Sequence, residues 1–180
     1  MLLADGELDN GAGHLASAAE AGHKDAAEHL GSAYMNGAVL QKDPVLAVKF
    51  FRIAASLGSL PSMFNLALCL IKGLGLKPDY MEAVHHLKVA ADQDFAPAMH
   101  ELGILYSNGY GVTTDLQQAT KYLRSAAALG FANSQFVLGV FYVSGKGVTQ
   151  DVQEGIKLIK SAAEQGQKDA IAALKQLPSE

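Results

Sequence analysis

A period of 36 residues runs through the sequence and constrains its fold more than any other feature. Loop glycines recur at this offset, aspartates follow them six residues later, and leucines repeat in step with both. The recurring residues are Gly37, Gly73, Gly109 and Gly145; Asp43, Asp79, Asp115 and Asp151; and Leu30, Leu66, Leu102, Leu138 and Leu174. Matches in so many columns exclude coincidence, so the chain is built from repeated units.

Each unit predicts two helices. Ala98, Leu102 and Tyr106 lie at i, i+4 and i+8, the spacing of one helical face. Glycines then end this first helix. Asp115 begins the second, because its carboxylate can accept hydrogen bonds from first-turn amides, and Gln118 stands at capping-box spacing from it. The residues predicted to end the second helices are Gly22, Gly58, Asp94, Gly130 and Gly166.

We expect these units to stack into one all-α domain, an α-solenoid that covers residues 1–180. Each unit buries its apolar face only against its neighbours, which is the logic of a helical repeat protein. The predicted boundaries are a half repeat at about 7–22, complete repeats at 26–61, 62–97, 98–133 and 134–168, and a C-terminal capping helix at 169–177.

Composition narrows the function classes. A formal charge of −4 and a pI near 5.8 argue against nucleic acid, whose binders carry a basic footprint. The single cysteine, Cys69, excludes an intramolecular disulfide framework and favours a reducing compartment. The first residues do not show the basic region followed by an apolar region that is typical of a signal peptide. No apolar run reaches the roughly 18 residues of a membrane span. We therefore expect a cytoplasmic monomer with no membrane insertion.

The pattern A-x3-L-G-x2-Y-x2-G-x-G-V-x2-D-x3-A-x6-A-A-x2-G, from Ala98 to Gly130, resembles the Sel-1-like repeat (SLR) family, relatives of the tetratricopeptide repeat (TPR). The resemblance covers essentially the whole chain. The second unit departs most from the pattern, and Gly155 replaces the second-helix alanine of the fourth. The resemblance implies a right-handed superhelix of helix-turn-helix repeats and a non-catalytic scaffold or adaptor that binds other proteins.

By analogy with related repeats, three first-helix columns line the inner, concave face of such a superhelix. They lie two residues before, two after and five after the shared leucine, and the next position supplies a polar rim. The predicted protein-binding residues are Phe64, Leu68, Ile71, Lys72, His100, Ile104, Ser107, Asn108, Phe136, Val140, Val143 and Ser144. In the first repeat the three columns hold Glu28, Ser32 and Met35. An apolar stripe of this kind suits a partner helix or an extended peptide, because each fully buried anchor contributes about 1.5–3 kcal/mol. Packing between repeats is the alternative role for Phe64 and Phe136.

A second candidate surface is a basic ladder on the second helices. Arg52, Lys88, Arg124 and Lys160 share one column, and Lys49, His85, Lys121 and Lys157 lie three residues earlier on the same face. Cations suit the negative end of a helix dipole, so a solvated face is the simplest interpretation. The alternative function is a structural or regulatory module that docks an acidic partner through this ladder.

Chemical motifs are lacking. The loop "NGYGVTTD" has neither the lysine and serine of a phosphate-binding loop nor a preceding strand, so we interpret it as a helix stop followed by a capped restart. The histidines lack the i, i+4 spacing of a metal pair, and Cys69 occupies an apolar column typical of a buried, inert thiol. We expect no catalytic residues, no metal and no cofactor. A hydrolase formed by residues that converge in space is the remote alternative.

Overall fold

The computed structural model describes residues 5–176, with side chains from residue 11 onward, and over that range it contains ten α-helices and no strand. They are α1 (Asp5–Glu20), α2 (Lys24–Asn36), α3 (Pro44–Ser56), α4 (Leu60–Lys72), α5 (Tyr80–Ala91), α6 (Ala96–Asn108), α7 (Leu116–Ala128), α8 (Ala132–Ser144), α9 (Val152–Glu164) and α10 (Lys168–Lys175). The predicted all-α fold of 36-residue helix-turn-helix repeats is confirmed.

The first helices α2, α4, α6 and α8 begin two residues before the first residues of the predicted repeats. The residue before each of them has an extended backbone, as an N-cap requires. Only Ser59 among these four caps with its side chain: its hydroxyl accepts the amide N–H of Ser62 at 3.1 Å. The sequence pattern missed three of these starts because His23, Phe95 and Phe131 are not capping residue types, and it missed the start of α4 although Ser59 is one. The predicted end of the last helix, Leu177, lies outside the described residues.

The chain divides between His86 and Leu87 into two compact units. In the N-terminal unit, α1 packs on α2, α2 on α3 and α3 on α4. Four alanines, one leucine and one aromatic residue form a core here: Ala19, Ala26, Ala27, Leu30, Phe50 and Ala54. Tyr34 stacks on Phe50 with ring centroids 5.8 Å apart. The single domain predicted for residues 1–180 stays a prediction.

In the C-terminal unit, α6 packs on α7, α7 on α8, α8 on α9 and α9 on α10. One core cluster comprises Leu123, Ala127, Leu138 and Phe141, and a second comprises Ile159, Ala162 and Ala170. Because each helix contacts mainly its neighbours along the chain, apolar burial is spread along the unit and not gathered in one centre.

The loops inside each repeat behave as predicted. Gly109 has φ 75° and Gly111 has φ 70°, the left-handed region that glycine adopts freely. Asp115 caps α7, its Oδ1 accepting the amides of Gln117 and Gln118 at 2.9 and 3.0 Å. The amide of Asp115 donates to the carbonyl of Tyr106 at 2.9 Å. In a capping box this amide would donate to the side chain three residues later; here it donates to a carbonyl of the first helix instead. The equivalent hydrogen bonds run from the amides of Asp43, Asp79 and Asp151 to the carbonyls of Tyr34, Leu70 and Tyr142.

Candidate interaction surfaces

The twelve predicted protein-binding residues lie on three first helices. Phe64, Leu68, Ile71 and Lys72 lie on α4 in the N-terminal unit; the other eight lie on α6 and α8 in the C-terminal unit. Lys72, Asn108, Val140 and Ser144 are exposed, and the remainder are half-buried.

In the N-terminal unit, a cleft of about 280 Å³ runs between α2 and α4. Leu68 and Lys72 line one side of it, and Ser32 and Met35 line the other. Thus Ser32 and Leu68, which share one predicted column, face the same space from neighbouring repeats. Met35 comes from the last of the three columns, and Lys72 comes from the rim position that follows it. Cys69 is also part of the lining, but only 2% of it is exposed and burial raises the pKa of its thiol, as predicted for an inert cysteine.

In the C-terminal unit, a second cleft of about 280 Å³ lies among α8, α9 and α10. We call it the apolar cleft. Its lining is Val140, Val143, Ser144, Val152, Ile156, Ile159, Ala173 and Leu174. Ser144 is the one polar residue there, and its hydroxyl already donates to the carbonyl of Val140 at 2.8 Å. Val140 and Val152 are 40% and 46% exposed, so apolar surface remains accessible to solvent at this site.

Phe136 is not among the residues that line the apolar cleft. It is half-buried and packs against the core cluster formed by Ile159, Ala162 and Ala170. The internal-packing alternative accounts for this contact. A substitution at Phe136 would therefore disturb the fold as well as any binding surface.

On α6, the predicted residues make contacts of their own. The Asn108 amide donates to the carbonyl of Ile104 at 2.9 Å, and the Ser107 hydroxyl accepts from the Lys146 ammonium at 3.2 Å. His100 Nδ1 lies 2.9 Å from the Ser134 hydroxyl, and its ring meets Phe131 edge to face. Burial lowers the pKa of His100 to about 4, so the imidazole is neutral at pH 7. His100 therefore links α6 to α8 as an uncharged residue.

The basic ladder differs between the two units. In the N-terminal unit, Arg52 pairs with Glu82, and Lys49 pairs with Glu20 at 2.7 Å. Arg52 donates a hydrogen bond to Glu82, and this bond lowers the pKa of that carboxyl. These two cations are neutralised by carboxylates of the chain itself.

In the C-terminal unit the corresponding cations contact phenols. The Arg124 guanidinium donates to the Tyr142 hydroxyl at 3.0 Å, and the Lys88 ammonium lies 5.7 Å from the centroid of the Tyr106 ring. Lys160 is exposed. Among the described residues, none of these three cations, Lys88, Arg124 and Lys160, forms an ion pair with a carboxylate.

Sequence reasoning placed Lys121 and Arg124 on the basic ladder but missed the open cleft of about 820 Å³ that they line on α7, which we call the basic cleft. Its lining is Gln117, Gln118, Thr120, Lys121, Arg124, Tyr142, Gly145, Gly147, Val148 and Thr149. The loop comes close to the helix here: a Cβ on Gly147 would lie 2.9 Å from the Leu116 carbonyl oxygen. The sequence held one signal that this part of α7 lacks an acidic residue. Gln118, which lines the cleft, occupies the column in which the neighbouring repeats have Glu82 and Glu154.

Within residues 5–176, no three histidine, cysteine or acidic side chains come together as metal ligands would. His86 is half-buried, and its Nε2 lies 3.7 Å from a carboxylate oxygen of Glu82. Burial lowers the pKa of His86. In the same described range, no helix has the length and apolarity needed to cross a membrane.

Comparison with solved structures places the fold among helical repeat proteins. A protective antigen of uropathogenic Escherichia coli with an SLR fold is 34% identical, with a TM-score of 0.84 over 91% of this chain and 35% of its own. A Sel1 repeat protein from Oxalobacter formigenes is 28% identical, with a TM-score of 0.80 over 92% of this chain and 73% of its own. Cysteine-rich protein B of Helicobacter pylori, 24% identical with a TM-score of 0.59 over 76% of this chain and 98% of its own, shares the fold.

The chain spans about a third of the length of the Escherichia coli antigen. No curated protein sequence matches it significantly. Sel1 repeat proteins are solenoids and generally serve as protein-protein interaction scaffolds, typically without catalysis. The Sel1 repeat model matches residues 24–59, 60–95, 96–131 and 132–167. These four consecutive matches, with the helix pairs that they contain, show that the chain belongs to the Sel1 repeat family.

Proposed function

We propose that this chain is a non-catalytic adaptor that binds a peptide or a partner helix through its first helices. The observation that carries the proposal is the apolar cleft, in which Val140 and Val143 of α8 face α9 and α10. Apolar surface that remains exposed at a repeat boundary is typical of protein-binding sites.

The lining of this cleft favours an apolar segment over a small polar ligand. Ser144 already uses its hydroxyl within α8, so few side-chain donors or acceptors remain to orient a polar molecule. A partner side chain buried here gains its binding free energy from transfer out of water. Because a single cleft holds only one or two side chains, a partner helix or peptide must extend beyond it.

The α2–α4 cleft of the N-terminal unit supports the same function with different chemistry. Leu68 and Met35 offer apolar contact there, and Lys72 and Asn36 place polar groups at its edge. Such groups can hydrogen-bond to a peptide backbone, so this cleft suits a segment of mixed polarity.

The test uses a displayed library of random peptides selected on the purified chain. Selected peptides are then titrated against Val140→Asn, which alters an exposed residue of the apolar cleft. The matched control is Leu129→Asn, since Leu129 is 53% exposed and absent from the cleft lining. We expect Val140→Asn to weaken binding about fivefold to tenfold and Leu129→Asn to leave it unchanged. Selected peptides that bind both variants as well as the original chain would overturn the proposal.

A further inference from the structure

We propose that the basic cleft on α7 is a docking site for an acidic segment of a protein partner, separate from the apolar cleft. The site combines the cations Lys121 and Arg124 with the hydroxyls of Tyr142 and Thr149 and the amides of Gln117 and Gln118. No acidic residue is among its lining residues. The cleft therefore offers two positive charges and several hydrogen-bond donors to the same space.

The acidic residues nearest in sequence are already engaged. Asp115 accepts the first-turn amides of α7, and Asp151 accepts the amide of Glu154 at 3.0 Å. Glu154 itself faces Lys157, with 3.4 Å between carboxylate and ammonium. Arg124 is left with the neutral hydroxyl of Tyr142, which orients its guanidinium without neutralising it.

The N-terminal unit shows which group these columns accept. Arg52 occupies the column of Arg124, and Lys49 occupies the column of Lys121. There the partners are carboxylates: Arg52 forms an ion pair with Glu82, and Lys49 forms one with Glu20. The chain thus carries an internal example of carboxylates bound at this pair of columns. In the C-terminal unit Lys157, in the column of Lys121, pairs with Glu154, whereas Lys121 and Arg124 form no ion pair among the described residues, so carboxylates of another molecule are free to bind these two cations.

The size and shape of the cleft favour a protein segment over a small anion. Its volume of about 820 Å³ far exceeds one carboxylate or phosphate, and it is open to solvent along the helix. A run of aspartate or glutamate side chains satisfies both cations at once, with charge-assisted hydrogen bonds to a planar guanidinium. The net charge of −4 disfavours nucleic acid as the polyanion.

The test measures fluorescence anisotropy of a short labelled glutamate-rich peptide at low salt, where exposed charges are least screened. A peptide with glutamine at every glutamate position is the ligand control. The double variant Lys121→Gln/Arg124→Gln is compared with Lys49→Gln/Arg52→Gln, which removes the same charge from the same columns of the N-terminal unit. All four side chains are exposed, so both variants should fold, as circular dichroism will verify.

We expect the first double variant to weaken binding at least tenfold, since a hydrogen bond to a charged group contributes about 1.5–3 kcal/mol, and the second to change it less than about twofold. Glu154→Gln should bind at least as tightly as the original chain. Equal losses in the two double variants, or equal affinity for the glutamine peptide, would contradict the proposal. So would tighter binding of inorganic phosphate or a single-stranded oligonucleotide at the cleft. Val140→Asn should leave glutamate-peptide binding unchanged, which separates this proposal from the apolar cleft.

Discussion

Gly139 of α8 and Gly155 of α9 bring the two helix backbones into close approach. A Cβ built on Gly155 would lie 2.7 Å from the Gly139 carbonyl oxygen and 2.6 Å from Cγ2 of Val143. A Cβ on Gly139 would lie 2.8 Å from the Gly155 carbonyl oxygen. The other repeats have alanine in the column of Gly155, so this departure from the pattern sets the spacing of α8 and α9.

Gly155→Ala should therefore destabilise the protein, although alanine is the better helix former. The methyl group meets backbone, which cannot move without shifting a helix, and such overpacking costs about 1–3 kcal/mol. Urea denaturation checks the change in the free energy of unfolding. The matched control is Gly13→Ala in α1, where a Cβ meets nothing within 4 Å. There we expect stabilisation of up to about 1 kcal/mol from helix propensity. If Gly155→Ala were stabilising too, the close approach would not limit this repeat.

Asp94 is the one non-glycine residue with positive φ among the described residues, at 57°. It ends α5 where the other repeats use glycine. Asp94→Gly should raise the free energy of unfolding by about 1 kcal/mol, because glycine adopts this conformation without strain. Gly130→Ala is the reverse experiment, since a Cβ there meets nothing within 4 Å and only its φ of 83° opposes the change. We expect a loss of about 1 kcal/mol, measured by thermal unfolding; equal stability of all three proteins would contradict this.

Ser62 and Ser134 occupy the same repeat column and are both fully buried. The Ser134 hydroxyl forms a hydrogen bond with Nδ1 of His100, whereas the Ser62 hydroxyl has no hydrogen-bond partner among the described residues. Ser62→Ala should be neutral or stabilising by about 1 kcal/mol, because it removes an unsatisfied buried hydroxyl. Ser134→Ala should destabilise by about 1–3 kcal/mol, because it leaves the His100 nitrogen unpaired. Chemical denaturation of the two variants side by side tests the contrast, and a larger loss in Ser62→Ala would refute it.

His100 should make stability depend on pH. Burial lowers its pKa to about 4 in the folded protein from the ordinary histidine value of 6.5. The unfolded chain binds a proton more readily, so the contribution of His100 is fully present above about pH 6.5 and is lost as the pH falls toward 4. Each unit of difference in pKa corresponds to about 1.4 kcal/mol, which sets an upper bound of about 3 kcal/mol.

Denaturation of the original chain and of His100→Gln between pH 7.5 and 4 isolates this contribution, because carboxylates affect both proteins alike. The stability difference between the two should shrink as the pH falls. Parallel curves would show that His100 does not titrate as its burial implies.

Much of the architecture was predictable because its causes are local. Helix ends at Gly109 and Gly111 and the cap at Asp115 depend on backbone conformations and hydrogen bonds within a few residues. The predicted starts of the first helices lie two residues later than the observed ones. At three of these four starts the N-cap residue has no capping side chain, so no local signal marks the start. The twelve residues predicted on the first helices remain a prediction as a binding surface, although five of them line clefts: Leu68, Lys72, Val140, Val143 and Ser144.

The sequence by itself determined the repeat, its two helices, the glycine turns and the aspartate caps, because a 36-residue period specifies local hydrogen bonding and one buried face. Only the tertiary structure decided which charges are neutralised and which surfaces stay open. Arg52 and Arg124 are equivalent in the sequence, yet one meets Glu82, 30 residues away, and the other meets Tyr142. Partners of that kind come from neighbouring repeats, and their identity depends on how the helices pack, which no single repeat encodes.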